Sequence, residues 1–270
     1  MKPSIFIGLP NLGTLETVLS SRLREWYACG KYRITMTEAT GMRPLEIPVN
    51  QILALFLETD CEWLFLINSD ECLPFDALDR LMAHDVDVVA PLGLRWDRKH
   101  GPLPCIGVRE GGSNDELLRH FDNPADVSMT SGRARYIQPR SGFSGLRRVD
   151  RIGNSGMLLK RKVVEAVPLG TFRMHMSEDR TDIYATEDFA WCDAIREAGF
   201  EIYCDCDLLL DHYRKVNLAR VAGLQLEARD KGRQDVVAAI KKLQSVGATP
   251  EEALKGVIEW LESTQPATSR

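Results

Sequence analysis

An apolar run of five residues, 63–67, is followed at once by four polar residues, Asn68, Ser69, Asp70 and Glu71. A short run that is apolar on both faces is typical of a strand buried in the middle of a parallel sheet. The polar residues then lie at the carboxyl end of that strand, where open α/β sheets bind their ligands. Two neighbouring acids beside an amide suit a divalent cation and the phosphates it carries, although a simple polar turn would also explain them.

Apolar strands alternate with helical periodicities along most of the chain. Before residue 91 the predicted strands are 5–7, 32–36, 63–67 and 86–90, and the predicted helices between them are 14–26, 48–57 and 74–81. After residue 150 strands are predicted at 157–159, 202–203 and 208–210, with helices at 162–167 and 186–199. This βαβ alternation predicts an α/β domain over residues 1–215, with a mostly parallel central sheet flanked by helices.

Two segments depart from this alternation. Residues 91–148 are rich in Gly, Ser, Asp, Asn and Arg and poor in apolar runs, which predicts a long flexible insertion. Long insertions in compact domains are usually functional or disordered, so a lid over the ligand site and a plain surface insertion both stay open. Residues 216–270 show charged helical periodicities and predict a C-terminal helical extension. That extension packs either on the sheet domain or on a second subunit, which would make the protein a homo-oligomer.

Composition argues against several classes of protein. With 34 basic and 39 acidic side chains in 270 residues, the net charge is −5, so nucleic acid is not an expected partner. No apolar run approaches the length that spans a bilayer, and Pro and Gly interrupt the N-terminal residues too early for a signal peptide. The seven cysteines are scattered without a CxxC pair, which favours a reducing, cytoplasmic location.

Four short motifs follow one another along the predicted domain: NSDE at 68–71, GNSG at 153–156, TED at 186–188 and DHY at 211–213. In this order they resemble the motifs of GT-A fold glycosyltransferases, especially the family 2-like group. The resemblance covers about residues 4–213. It implies a GT-A (Rossmann-like) domain and a metal-dependent enzyme. Such an enzyme moves a sugar from a nucleotide-sugar donor, UDP- or GDP-linked, to a glycan or other acceptor hydroxyl, with inversion.

The resemblance assigns Asp70 and His212 to a metal ion. Asp70 matches the last acid of the family's DxD motif, and His212 matches a late metal ligand, whose imidazole favours Mn²⁺ over Mg²⁺. Asn68 stands in place of the first acid, where an amide can still bind a ribose hydroxyl, and Glu71 either compensates or orients its neighbours. A hydrogen-bonded histidine at a strand end is the plainer interpretation of His212. The donor-binding residues implied by the resemblance are Pro10, Asn11, Glu38, Arg43, Asn68, Ser69 and Asp70. Pro10, Asn11 and Glu38 are predicted to lie in loops, whose ordinary polarity would also explain them.

Asp188 resembles the catalytic base of the inverting members, a carboxylate that takes the proton of the acceptor hydroxyl as this attacks the anomeric carbon. Glu187 beside it would hold the acceptor or a loop, and Thr186 is most simply an N-cap. The helix dipole also stabilises acids in a first turn, which explains both acids without catalysis. The resemblance assigns Gly153, Asn154, Ser155 and Gly156 to sugar or acceptor binding, although a tight turn would also explain the glycines. Trp96 is a further candidate, because an aromatic ring can stack on a sugar.

Two other functions compete with a glycosyltransferase. A nucleotidyltransferase would share the Rossmann-like sheet, but its phosphate loop after the first strand usually carries a basic residue, and residues 9–13 include none. A non-catalytic protein that binds nucleotide sugars or serves assembly, built on a decayed glycosyltransferase scaffold, is favoured by Asn68 in place of an acid. Nucleotide binding without turnover would identify this second alternative.

Overall fold

The structure, a computed structural model, describes residues 2–11, 13, 15–40, 44–97, 101–109, 134–136, 144–176 and 183–213. The helices are α1 (Thr17–Ala28), α2 (Glu46–Leu57), α3 (Ala77–Ala83), α4 (Arg161–Ala166) and α5 (Glu187–Glu197). The strands are β1 (Ser4–Asn11), β2 (Arg33–Thr40), β3 (Trp63–Leu66), β4 (Glu71–Cys72), β5 (Val88–Leu92), β6 (Leu94–Asp97), β7 (Gly101–Pro104), β8 (Ile106–Arg109), β9 (Ala134–Tyr136), β10 (Leu146–Val149), β11 (Arg151–Ile152), β12 (Met157–Lys160), β13 (His175–Met176), β14 (Ile183–Ala185), β15 (Ile202–Leu209) and β16 (Asp211–His212).

Seven of these strands form one central sheet in the order β10-β15-β5-β12-β3-β1-β2. β1 pairs in parallel with both β2 and β3, and β5 pairs in parallel with β15. β12 lies between β3 and β5 and runs antiparallel to both, while β10 runs antiparallel to β15. Five strands therefore point one way and two point the other. The predicted α/β architecture with a mostly parallel sheet is confirmed, with an antiparallel strand added at its centre.

Helices cover both faces of the central sheet. Leu64 and Leu66 of β3 belong to the apolar cluster that also holds Trp191 of α5 and residues of α2 and α4. Phe65, which points the opposite way, packs with Trp26 of α1 and with residues of α3. Burial from both sides explains why this strand is apolar without alternation. Within the described ranges, no helix combines the length and the apolar character needed to cross a bilayer.

The first two strands are longer than predicted. β1 pairs with β3 only as far as Gly8, whereas its pairing with β2 continues to Asn11. Pro10 therefore lies beyond the part of β1 that is paired on both sides, where a proline is tolerated. The prediction that Pro10, Asn11 and Glu38 lie in loops is wrong, because all three are strand residues at the end of the β1–β2 ladder.

Residues 91–148 contain more regular structure than predicted. Their described residues include β6 to β10, and β10 is an edge strand of the central sheet. Short strands among Gly, Pro and Ser leave too few alternating residues for a period of two to be recognised. The lid over the ligand site stays a prediction. The C-terminal extension, 216–270, lies outside the described residues, as do Arg43 and Thr14.

Candidate active site

The topology of the sheet collects the sequence motifs at one edge. β1, β2, β3, β5 and β15 run in one direction and end there, whereas β12 begins there, because Met157 pairs with Leu66. Motif 68–71 follows the end of β3, 153–156 precedes the start of β12, and 211–213 follows the end of β15. Three of the four motifs therefore meet at the edge where α/β sheets bind their ligands.

A short ladder beyond the sheet edge brings two motifs into contact. β16 pairs antiparallel with β4, which places His212 opposite Glu71, and the Tyr213 N–H donates to the Asp70 carbonyl at 2.8 Å. Nε2 of His212 lies 3.3 Å from Oδ2 of Asp70, and its Nδ1 lies 3.6 Å from Oε1 of Glu71. One ligand atom from each of these three residues lies within 4.8 Å of the others. Two carboxylates and an imidazole at this spacing can hold a divalent cation.

A hydrogen bond of the His212 ring determines which of its two nitrogens carries the proton. Nδ1 lies 3.0 Å from the carbonyl oxygen of Leu94, and a carbonyl can only accept, so Nδ1 carries a proton. In the neutral ring the lone pair on Nε2 is then directed towards Asp70. Histidines that ligate metals usually donate their second ring N–H to a carbonyl or carboxylate in this way. The structure brings Asp70 and His212 together and places Glu71 beside them, where it can compensate for the acid that Asn68 replaces.

The GNSG segment lies directly against the strand end that carries Asn68. The Asn68 N–H donates to the Ser155 hydroxyl at 3.0 Å, while Ser69 and Asn154 are both buried. In the described part of the chain, the side-chain oxygen of Asn68 and the side-chain nitrogen of Asn154 are buried without a hydrogen-bond partner. Folded proteins rarely leave such atoms unpaired. Two unpaired polar atoms this close to the sheet edge make Asn68 and Asn154 candidates for contact with a polar ligand or an ordered water.

Gly156, the last residue of that segment, should tolerate no side chain. Its φ is +71°, and a Cβ built on it would lie 2.5 Å from Cγ of Pro91. Gly156→Ala should therefore lower the free energy of unfolding by about 3 kcal/mol, because backbone strain and a steric clash act together. In the matched control, Gly170→Ala, φ is +86° but nothing lies within 4 Å of the new Cβ, so a loss of about 1 kcal/mol is expected. Chemical denaturation measures both losses, and equal values would contradict the clash.

Helix α5 carries the predicted base in its first turn. Thr186 is the N-cap residue as predicted, but its hydroxyl makes no cap hydrogen bond and donates instead to Oδ1 of Asp188. The Phe189 N–H donates to the same oxygen at 2.8 Å. Burial, reinforced by the negative charge of Glu187, raises the pKa of Asp188 to about 6 against these two hydrogen bonds. A carboxyl group with this pKa is mostly ionised at neutral pH and can accept a proton.

The second carboxylate oxygen of Asp188 faces the GNSG segment. A Cβ built on Gly153 would lie 3.9 Å from Oδ2 of Asp188 and 3.0 Å from Sγ of Cys105. The Gly153 N–H donates to the Cys105 carbonyl at 3.1 Å. Segment 153–156 therefore lies close to Asp188 at one end and is hydrogen-bonded to Asn68 at the other, so all four motifs lie along one edge of the sheet.

Asn11 and Glu38, which the resemblance assigns to the nucleotide, bind each other. Nδ2 of Asn11 donates to Oε1 of Glu38, and the Asn11 side-chain oxygen accepts from the Gly13 N–H at 2.8 Å. Both lie on the side of the site formed by the ends of β1 and β2. Trp96 is a residue of β6, but its side chain lies outside the described part of the chain, as does Arg43.

No protein-family model and no curated protein sequence matches this chain. Among solved structures, the chain is similar to A197 from STIV, at 14% identity and a TM-score of 0.46, over 79% of this chain and 86% of that one. It is similar to GalNAc-T7 with UDP, GalNAc and Mn²⁺, at 9% identity and a TM-score of 0.45, over 80% of this chain and 44% of that one. It is also similar to S. aureus TarS 1–349 in complex with UDP-GlcNAc, at 11% identity and a TM-score of 0.40, over 80% of this chain and 60% of that one. The chain thus spans less than two thirds of the GalNAc-T7 and TarS chains, and these similarities are of backbone arrangement.

Proposed function

We propose that this protein is a metal-dependent glycosyltransferase that moves a sugar from a nucleotide-sugar donor to an acceptor hydroxyl, with inversion. One observation carries the proposal. A cluster of two carboxylates and an imidazole lies on the same sheet edge as a carboxyl group whose pKa is about 6, and segment 153–156 lies between them. The order of the four motifs and their resemblance to GT-A fold glycosyltransferases support the same conclusion.

The residues of the cluster fit a divalent cation. Asp70, Glu71 and His212 would hold it, and the imidazole favours Mn²⁺ over Mg²⁺. When bound, such a cation neutralises the charge that develops on the departing diphosphate. The Leu94 carbonyl keeps the Nε2 lone pair of His212 directed at the site, so the ring is oriented before any ligand arrives.

Asp188 is the base of the proposed reaction. Its Oδ2 takes the proton of the acceptor hydroxyl while the acceptor oxygen forms a bond to the anomeric carbon. The bond between that carbon and the diphosphate oxygen breaks at the same time, and a nucleoside diphosphate leaves. Attack from the face opposite the leaving group inverts the configuration. A base whose pKa lies just below the working pH is mostly ionised and still a competent proton acceptor.

The remaining polar residues of the edge bind the donor. Asn11 and Glu38, beside the ends of β1 and β2, contact the nucleobase or the ribose of the donor. We assign Asn68 and Asn154 to hydroxyl groups of the donor, because each carries a side-chain atom that has no partner in the described part of the chain. We propose a UDP- or GDP-sugar as donor and a glycan or another hydroxyl compound as acceptor.

A second candidate is a protein that binds nucleotide sugars without turnover. Asn68, which stands in place of an acid beside Asp70, favours it, because one carboxylate fewer weakens the attraction for a cation. Glu71, held opposite His212 by the β4–β16 ladder, restores a second carboxylate to the cluster and favours the enzyme.

Release of nucleoside diphosphate from a panel of UDP- and GDP-sugars tests the proposal. The assay includes Mn²⁺ and a mixture of glycans. If none of these glycans is an acceptor, slow hydrolysis of the donor by water still releases nucleoside diphosphate and is measured instead. We expect release from at least one donor, and we expect a chelator to stop it. Donor binding without release would indicate the non-catalytic protein, and release of pyrophosphate from nucleoside triphosphates would indicate a nucleotidyltransferase.

A further inference from the structure

The hydroxyl of Thr186 has an unusual partner for an N-cap residue. At this position a threonine oxygen normally accepts a hydrogen bond from a backbone N–H two or three residues further on. In α5 the Phe189 N–H is taken by Oδ1 of Asp188 at 2.8 Å, and Thr186 makes no side-chain cap hydrogen bond. The Thr186 hydroxyl donates to that same carboxylate oxygen. Oδ1 therefore has two donors, whereas Oδ2 faces Gly153.

We infer that Thr186 is a positioning residue for Asp188, an inference that rests on the proposed function. Two donors on Oδ1 fix the plane of the carboxylate and hold Oδ2 towards Gly153, where the acceptor hydroxyl would approach. A hydrogen bond to the ionised form of a carboxyl group also favours that form. Thr186 thereby opposes the effect of burial, which alone would keep more of the Asp188 carboxyl group protonated.

None of the titratable groups described around Asp188 stabilises its ionised carboxylate in place of Thr186. Glu187 carries a negative charge and acts in the opposite sense. Cys192, one turn further along α5, is a buried thiol whose pKa is raised, so it stays neutral. Cys105, whose Sγ also lies close to Gly153, is a thiol and not a cation, and the guanidinium of Arg151 is already bound by Asp193 of α5. In this set, the hydroxyl of Thr186 is the side-chain group that stabilises the ionised carboxylate.

The test titrates Asp188 in the full chain by ¹³C-carboxylate NMR, with the signal assigned from Asp188→Asn. This measurement needs no substrate. Thr186→Val should raise the titration midpoint by about one pH unit, because a hydrogen bond to an ionised group is worth about that much. Thr186→Ser keeps the hydroxyl and should keep the wild-type midpoint. Thr171→Val, which removes a hydroxyl bonded to the Pro168 carbonyl, is the matched control and should leave the midpoint unchanged.

Donor turnover gives the second readout. In Thr186→Val the kcat at pH 5 should fall about tenfold while the KM for the donor stays constant, because the acidic limb of the rate profile moves with the midpoint. If the valine variant does not fold, Thr186→Ala replaces it. An unchanged midpoint in the valine variant, or a serine variant that behaves like valine, would overturn the role of Thr186. If the midpoint shifts in the valine variant but the wild type turns over no donor, the proposed function is overturned. The hydrogen bond from Thr186 to Asp188 then has only a structural role.

Discussion

Asp188→Asn should abolish sugar transfer without weakening the binding of donor or metal. An amide cannot take the proton of the acceptor hydroxyl, so kcat should fall by about 10²- to 10⁴-fold. Glu197→Gln, an exposed acid in the last turn of the same helix, is the matched control and should turn over at the wild-type rate. Steady-state release of nucleoside diphosphate measures turnover, and calorimetry measures donor binding. An asparagine variant that keeps most of the wild-type turnover would exclude Asp188 as the base.

The same substitution should make the protein more stable at neutral pH. Because the pKa of Asp188 is raised from 3.8 to about 6, the folded state binds this proton more tightly than the unfolded state. The stability that the protonated group contributes is fully present below pH 3.8 and is lost as the pH rises through about 6. At pH 7 the ionised carboxylate therefore destabilises the fold by roughly 3 kcal/mol, because a pKa shift of about two units corresponds to that free energy. Asp188→Asn should raise Tm at pH 7 and leave it nearly unchanged below pH 3.8.

His212→Ala should remove specific metal binding. The substitution takes away the imidazole whose Nε2 lies 3.3 Å from Asp70 and leaves two carboxylates with no nitrogen ligand. We expect the affinity for Mn²⁺ to fall on the order of 100-fold, measured by calorimetry. The matched control is His84→Gln, whose amide can still donate to Asp205 on β15, and which should keep the wild-type affinity. Equal Mn²⁺ affinity in the two variants would contradict a metal site at His212.

The parts of the fold that depend on local pattern could be predicted from the sequence. Residues 64–66 are recognisable as a central strand because helices cover both faces and no polar side chain interrupts the run. Thr186 is recognisable as an N-cap because the helical periodicity begins directly after it. The position of motif 153–156 at the same edge follows once the strand after it is placed in the sheet, although the sequence does not reveal that this strand runs antiparallel.

The contacts within the candidate site depend on register and on side-chain rotamers, which the sequence does not encode locally. Glu71 faces His212 because β4 pairs with β16, and two strands of two residues each have no periodicity from which a register can be derived. The hydroxyl of Thr186 can accept a hydrogen bond from a backbone N–H or donate one to the Asp188 carboxylate, and helix propensity does not predict which bond forms. Asn11 and Glu38 are held in strands by the β1–β2 ladder, although their polarity favours loops.

In the proposed enzyme, one edge of the sheet binds a nucleotide through a divalent cation held by Asp70. Thermal shift with UDP, GDP, CDP and dTDP sugars, with and without Mn²⁺, on the wild type and on Asp70→Ala decides whether it does. A specific ligand raises Tm in proportion to the logarithm of its concentration over its dissociation constant. We predict that one nucleotide class raises Tm of the wild type only when Mn²⁺ is present, and that Asp70→Ala shows no rise. A rise that needs no metal, or one that Asp70→Ala retains, or no rise with any nucleotide would contradict the claim.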